Sequence, residues 1–360
     1  MLFYLLFLLI ASSLLLMGYL LPEKNKIFQI VTFLLIVGVV GFRDFVGADF
    51  GDYVIWYNSK VRDQDFAVGY LALMNVFRTL NLGYTALFFF IAFFTYLFLF
   101  LGVKKYTQNQ NLAIFIFLLI PSMFLLSLNT MRQSFVVSIC FYAFYYLINK
   151  KYLHYLLLMF LGVSIHSTVI IPFILFFLVY RFADKIKVSH ILLVLVGSLL
   201  FSQLGLVHYF SWFFKDSRYI AYFTTMKIPV NPLKLIILNG VAIFMLFYFE
   251  EMKRKYSNQK YLMVLFFLSV IITNFFSLYG DLTRIAYYFK IFEILVIADF
   301  IFLRTKELRV WLCSGFMIYY VSIFIYTLKM DIDKDYKCKM IPYKNILFES
   351  FKIGTLLKIN

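Results

Sequence analysis

Along this chain, polar residues fall in short clusters that separate long apolar runs. The first run, from Leu2 to Leu20, carries no charged residue. A bilayer core asks a helix for about 20 apolar residues. Runs near that length recur over residues 2–20, 27–42, 84–103, 112–128, 134–148, 152–165, 167–180, 188–206, 232–249, 261–279, 285–303 and 310–328. The pattern predicts an all-α, polytopic membrane protein of about twelve transmembrane helices. The runs 134–148 and 152–165 are short for a span, which predicts tilting, a break, or burial by neighbours. Without internal repeats or low-complexity linkers, residues 1–360 read as one integral membrane domain. Leu2–Leu20 has no basic stretch ahead of it and no small-residue cleavage site, so it reads as the first span.

Composition narrows the function classes. Hydrophobic residues make up 63% of the 360 and charged residues 14%, against about 25% charged in a soluble globule. Too few polar side chains exist to cover a water-facing surface. Soluble enzymes, nucleic-acid binders and disulfide scaffolds are therefore excluded. Cys140, Cys313 and Cys338 form no paired motif, and the four histidines are scattered, so no metal site is expected.

The net charge of +16 then speaks to sidedness. One alternating set of short loops carries basic residues at every turn: Lys24 and Lys26, Lys104 and Lys105, Lys150 and Lys151, and the clusters at 181–187, 253–260 and 304–309. The opposite set carries fewer, mostly in two long loops. Basic residues in short loops mark the cytoplasmic side. Both termini, the loops 43–83 and 207–231, and the tail 329–360 are thus expected outside. The segment Asp65–Arg78 is too short to span and reads as an interfacial or re-entrant helix. Tyr209, Trp212, Tyr219 and Tyr222 read as interfacial anchors.

Four polar clusters break the apolar pattern at expected span ends, all on the outer side. They are Gly41 to Tyr53 (with Arg43, Asp44, Asp49 and Asp52), Asn129 to Gln133 (with Arg132), Ser164 to Thr168 (with His166), and Tyr279 to Arg284 (with Asp281), followed by Tyr287 and Tyr288. Arginine at an apolar helix end is costly unless it pairs or reaches a cavity. Three arginines from distant stretches point to a shared anionic ligand. Each cluster also has a plainer reading. Arg43 can pair with Asp44 or Asp49, Arg132 can snorkel to headgroups, and His166 can be a satisfied core residue. Asp281 and Arg284 can pair at i,i+3, and Lys290 with Glu293 reads as a structural pair.

The stretch Phe42-Arg43-Asp44-Phe45-Val46-Gly47-Ala48-Asp49, with Tyr53 behind it, resembles the Arg…Gly-x-Asp…Tyr signature of the EpsG-type polysaccharide polymerases. Met131-Arg132-Gln133 is similar to that family's Arg-Gln, and Ile165-His166-Ser167 to its Phe-His-x-Ser. Arg284 with Tyr287 and Tyr288 resembles its late Arg…Tyr element, and Ile341-Pro342-Tyr343 its closing Pro-Tyr. Ala48 departs from the small polar residue common there, so no hydroxyl is required at that position. The ordered set runs from 41 to 343.

The resemblance implies Wzy-like chemistry of O-antigen, capsule or exopolysaccharide assembly at the outer face of a bacterial plasma (inner) membrane. A polyprenyl-diphosphate-linked glycan would pass to a sugar hydroxyl of another lipid-linked repeat unit, without cofactor, metal or nucleic acid. A chain-length regulator is an implied partner. Under it, Arg132 and Arg284, then Arg43, hold the diphosphate. His166 and Asp49 are base candidates, with Asp49, Asp52 and Asp281 open as carboxylates facing the reacting carbon. Gln133, Tyr53, Tyr287 and Tyr288 are supporting residues. The chief rival is a lipid-linked oligosaccharide flippase or other secondary transporter. That rival predicts a charged site near the midplane and repeated halves, whereas these charges crowd one face. A membrane O-acyltransferase would want an inner-side histidine, and His154 and His190 sit beside lysines. The topology has a direct check. In a chain cleared of its cysteines, a cysteine placed at Ser59 is expected to react with an impermeant maleimide on intact cells. One at Gln108 is expected to react only after permeabilisation.

Overall fold

The computed structural model describes residues 1–59, 66–214, 220, 223, 229–333 and 339–347. Asp65, Tyr219, Tyr222, Cys338, the basic residues Lys60, Arg62, Lys215, Arg218 and Lys227, and tail positions 334–338 and 348–360 lie outside them. Among the described residues the regular elements are helices, and extended pairing is confined to an isolated antiparallel bridge between Arg43 and Asn345.

The helices, in order, are α1 (Leu2–Leu20), α2 (Asn25–Gly41), α3 (Phe50–Ser59), α4 (Val68–Thr79), α5 (Tyr84–Tyr106), α6 (Gln110–Leu119), α7 (Phe124–Asn129), α8 (Met131–Ile148), α9 (Tyr152–Ile165), α10 (Ile170–Phe182) and α11 (Val188–Gln203). They continue with α12 (Pro232–Phe247), α13 (Phe249–Lys255), α14 (Gln259–Phe275), α15 (Tyr287–Lys290), α16 (Glu293–Phe302) and α17 (Lys306–Asp333).

Among the described residues, six helical stretches are long and apolar enough to cross a membrane, or seven if α12 and α13, bent by 56°, count as one span. The remaining expected spans form as shorter or broken helices. Residues 112–128 divide at Pro121, which lacks an N–H and pushes the residue before it out of the α region; Ile120 is extended (φ −80°, ψ 106°). Residues 285–303 divide into α15 and α16. The runs at 152–165, 188–206 and 261–279 form as α9, α11 and α14, each below the usual spanning length. The chain is thus a helical multi-pass protein, and the count of twelve is not reached by helix length.

The contacts resolve into two compact units. The first comprises residues 1–169 and 297–360. Within it α1 packs on α2, α2 on α5, α5 on α8, and α8 on α9. Beyond its polar first turn, the helix α8 is mostly apolar and is buried along most of its length, from Phe135 through Phe144 to Leu147, as a helix enclosed by others should be. By contrast α9 exposes Leu153, Leu157 and Phe160, an apolar face suited to lipid.

The second unit comprises residues 170–296. Here α11 and α14 pack together, and two polar pairs lie inside. Asn239 and Asn274 exchange reciprocal amide bonds, each 2.8 Å, and Ser202 meets Ser277 at 2.8 Å. Lys260 bridges to Asp184 at 2.8 Å.

Candidate active site

The loop leaving α2 is held by an arginine wholly out of water. Arg43 is 1% exposed. Its Nε donates to the Leu128 carbonyl at 3.1 Å and its Nη1 to the Val40 carbonyl at 2.6 Å. The rings of Phe88 and Phe50 lie 5.3 and 5.8 Å from the guanidinium. Burial pushes its pKa down to about 10, so the group stays charged at neutral pH. Neither Asp44 nor Asp49 forms an ion pair with Arg43 among the described residues. Every donor it commits goes to a carbonyl of the fold, which makes it a pin between the ends of α2 and α7 and turns those donors away from any headgroup.

The pin brings two of the sequence clusters together. The backbone N–H of Asp49 donates to Asn129 Oδ1 at 2.8 Å, so the Gly-x-Asp loop and the entry to α8 are joined side by side. Gly47 lies between them with φ +99°, and a Cβ there would overlap the Leu128 carbonyl. Phe45 also adopts a left-handed backbone (φ 49°), a strained state that persists only when neighbouring bonds enforce it.

Those bonds come from the C-terminal segment. Asp44 N–H donates to the Lys344 carbonyl at 3.0 Å, Ile346 N–H to Phe42 at 2.9 Å, and Gly47 N–H to Lys339 at 2.9 Å. Tyr343 donates to the Val39 carbonyl at 2.8 Å and stacks on Phe3, with centroids 3.7 Å apart. Tyr4 donates to the Met340 carbonyl at 2.8 Å. The buried Asp331 accepts the N–H groups of Met340 and Ile341 at 2.8 and 3.2 Å. The Pro-Tyr segment is therefore a strap across the loop that carries Arg43, Gly47 and Asp49.

Arg132 sits differently. It lies in the first turn of α8, which has no acidic residue in that turn and no side-chain cap. Helix N-termini favour anions, so a cation there repels the helix dipole and adds to the local positive potential. The guanidinium lies among three rings: Phe66 at 4.6 Å, Tyr70 at 5.0 Å and Tyr53 at 5.7 Å. Rings stabilise it through their negative faces but leave its hydrogen-bonding capacity open. Its Nε is buried without a hydrogen-bond partner, and no carboxylate pairs with it among the described residues.

Two of these rings are carried by the segment leading into and along α4. Arg78 at the end of α4 donates to the Trp56 and Tyr57 carbonyls at 2.8 and 2.9 Å, tying α4 to α3. On its other side α4 approaches α9 so closely that a Cβ on Gly69 would overlap Ser164. His166 caps α9 two residues further on, half-buried, with Nδ1 2.7 Å from Thr168 Oγ1. Because α8 and α9 run antiparallel, the start of one and the end of the other lie at the same end of the unit. Arg132, Tyr53, the buried Gln133, Asp49 and His166 thus share one end of the first unit. Asp52 is exposed there.

Arg284, Asp281, Tyr287 and Tyr288 belong to the second unit. Arg284 Nη2 bonds Asp281 Oδ1 at 2.9 Å, so this cation already carries a counter-ion. Tyr288 is fully buried. Lys290 and the buried Glu293 form a partly buried pair at 2.7 Å. Sequence reasoning placed Asn129 in a polar cluster without a role and missed Phe66, Tyr70, Asp331 and Asn345. Phe66 and Tyr70 stand at i,i+4, a spacing that puts both on one face of a helix and was a usable signal. The roles of Asn129, Asp331 and Asn345 depend on long-range contacts and left no local trace.

These helices define a multi-pass membrane protein with a polar end built from distant motifs. A family model described as the EpsG family matches residues 26–345, most of the chain. The chain belongs to the EpsG family, whose members are Wzy-like polymerases, and is a membrane protein of the polysaccharide-polymerase type. Comparisons with curated proteins and with solved structures give no match.

The loop geometry predicts that Gly47→Ala destabilises by about 1–3 kcal/mol from backbone strain alone, read as a lower melting temperature of the purified protein. Replacing Arg132 by Lys keeps the charge but loses the planar fork. The purified variant is expected to melt at a lower temperature, by the equivalent of about 0.5–1 kcal/mol of lost cation–ring contact.

Proposed function

We propose that the chain is a polysaccharide polymerase that acts at the outer face of the plasma membrane. It transfers a glycan from a polyprenyl diphosphate to a sugar hydroxyl of a second lipid-linked repeat unit. The observation that carries this reading is Arg132, a cation in the first turn of α8, held by Tyr53, Phe66 and Tyr70 and paired with no carboxylate among the described residues. A lipid diphosphate is a strongly anionic leaving group at headgroup depth. A planar, permanently charged donor set matches its oxygens, and partial burial strengthens the attraction as negative charge develops.

In the proposed step the acceptor hydroxyl oxygen attacks the anomeric carbon, and the bond from that carbon to the diphosphate oxygen breaks. The electron pair leaves with the lipid diphosphate, stabilised by Arg132 and the N-terminal dipole of α8. The hydroxyl proton passes to a base, for which His166 and Asp49 are the candidates in the first unit. Thr168 beside His166 Nδ1 orients the imidazole. Arg43 enters as a positioning residue, because its bonds fix the segment from which Arg132 projects. Arg284 enters through its place in the family pattern, and Asp281 as the carboxylate paired with it.

Loss of a polymerase leaves single repeat units on the surface, whereas loss of a flippase leaves none. Cells that carry Arg132→Ala in place of the native gene are expected to show single units and no ladder on a glycan gel, with protein abundance retained. A full ladder would remove Arg132 from the site, and complete absence of surface glycan would favour transport. The parallel variant Arg284→Ala tests that residue separately.

A further inference from the structure

Arg43 leaves one of its nitrogens unused. Nε and Nη1 reach carbonyls, while Nη2 is buried with no hydrogen-bond partner. Leaving a charged donor unsatisfied out of water costs more than almost any other polar defect. Beside the side chain lies a cavity of about 10 Å³, lined by Arg43, Ala92, Thr95, Tyr96, Ser127 and Ser134 among others. That volume is at the lower limit for one water.

The hydroxyls lining it show which ligand fits. Ser127 Oγ donates to the Phe124 carbonyl at 2.6 Å, and Thr95 Oγ1 donates to the Ile91 carbonyl at 2.7 Å. Tyr96 OH lies 2.7 Å from Ser127 Oγ. The Ser127 proton is already committed, so Tyr96 is the donor of that pair. The protons of these three hydroxyls are therefore used, and their oxygens have only lone pairs left to offer; of the four hydroxyls in the lining, Ser134 alone keeps its proton for a ligand. A halide or other anion needs donors on every side and would meet these lone pairs. A water accepts one bond from Nη2 and donates two to oxygens.

We propose that this cavity is a binding site for a single structural water, which completes the coordination of Arg43 and excludes anions. The proposal stands apart from the polymerase reading. The water links α5 to the α7–α8 junction through the same guanidinium that holds the Leu128 carbonyl.

The test is a density map of the wild-type protein in lipid nanodiscs at a resolution that shows ordered waters, together with melting curves in chloride and in gluconate. A peak within hydrogen-bond distance of Nη2, with melting unchanged when chloride is replaced, is the expected result. The cavity-filling variant Ala92→Val is expected to lower the melting temperature by about 3 °C, because the added methyls displace the water and strand Nη2. An empty map, a melting temperature that falls when chloride is withdrawn, or an Ala92→Val protein as stable as wild type or more so would each overturn the proposal.

Discussion

Everything at the polar end of the first unit depends on keeping one guanidinium out of water. An isolated charge moved into an apolar interior is prohibitively costly, and it survives only where hydrogen bonds replace the lost hydration. Arg43 obtains them from the Val40 and Leu128 carbonyls, groups that helix ends leave free. This choice has structural consequences. A carboxylate partner would neutralise the charge locally and leave the loops independent. Carbonyls from α2 and α7 instead make the charge a tie between two segments far apart in sequence. The tie fixes where α8 begins, and so where Arg132 stands.

Two arginines in one unit are thereby given opposite parts. Arg43 spends its donors on the fold, and the C-terminal strap from Lys339 to Asn345 closes over the loop that bears it. Arg132 rests on rings that hold it without occupying its donors. A cation kept in place by ring quadrupoles remains available for an anion, which suits the diphosphate-binding role proposed for it. Arg284 in the second unit is a third case, half-exposed and already paired to Asp281.

Much of this was legible in the sequence, and the misses have physical causes. Apolar runs gave the helical, multi-pass architecture, and Lys290–Glu293 and Asp281–Arg284 were readable as i,i+3 pairs. Among the described residues six or seven of the twelve expected spans form as helices long enough to cross, and the others are shorter or broken, because run length ignores breaks such as Pro121 and helices as short as α9. The polar clusters at Arg43, Arg132 and His166 were visible because such residues interrupt apolar runs. Their division of labour was not visible, since it turns on burial, and burial is set by the partners each arginine meets. In the strap only the Pro342-Tyr343 motif was visible, and the residues that hold it were hidden for the same reason. Asp331 and Asn345 act on backbone groups, which have no sequence signature.

The most direct measurement is the affinity of purified protein in nanodiscs for a short-chain isoprenyl diphosphate, by calorimetry, in wild type and Arg132→Ala. If Arg132 is the cation reserved for the diphosphate, the variant binds at least about tenfold more weakly, the equivalent of about 1.4 kcal/mol or more, while the matching isoprenyl alcohol binds both proteins alike. Equal diphosphate affinity in the two proteins would contradict the account.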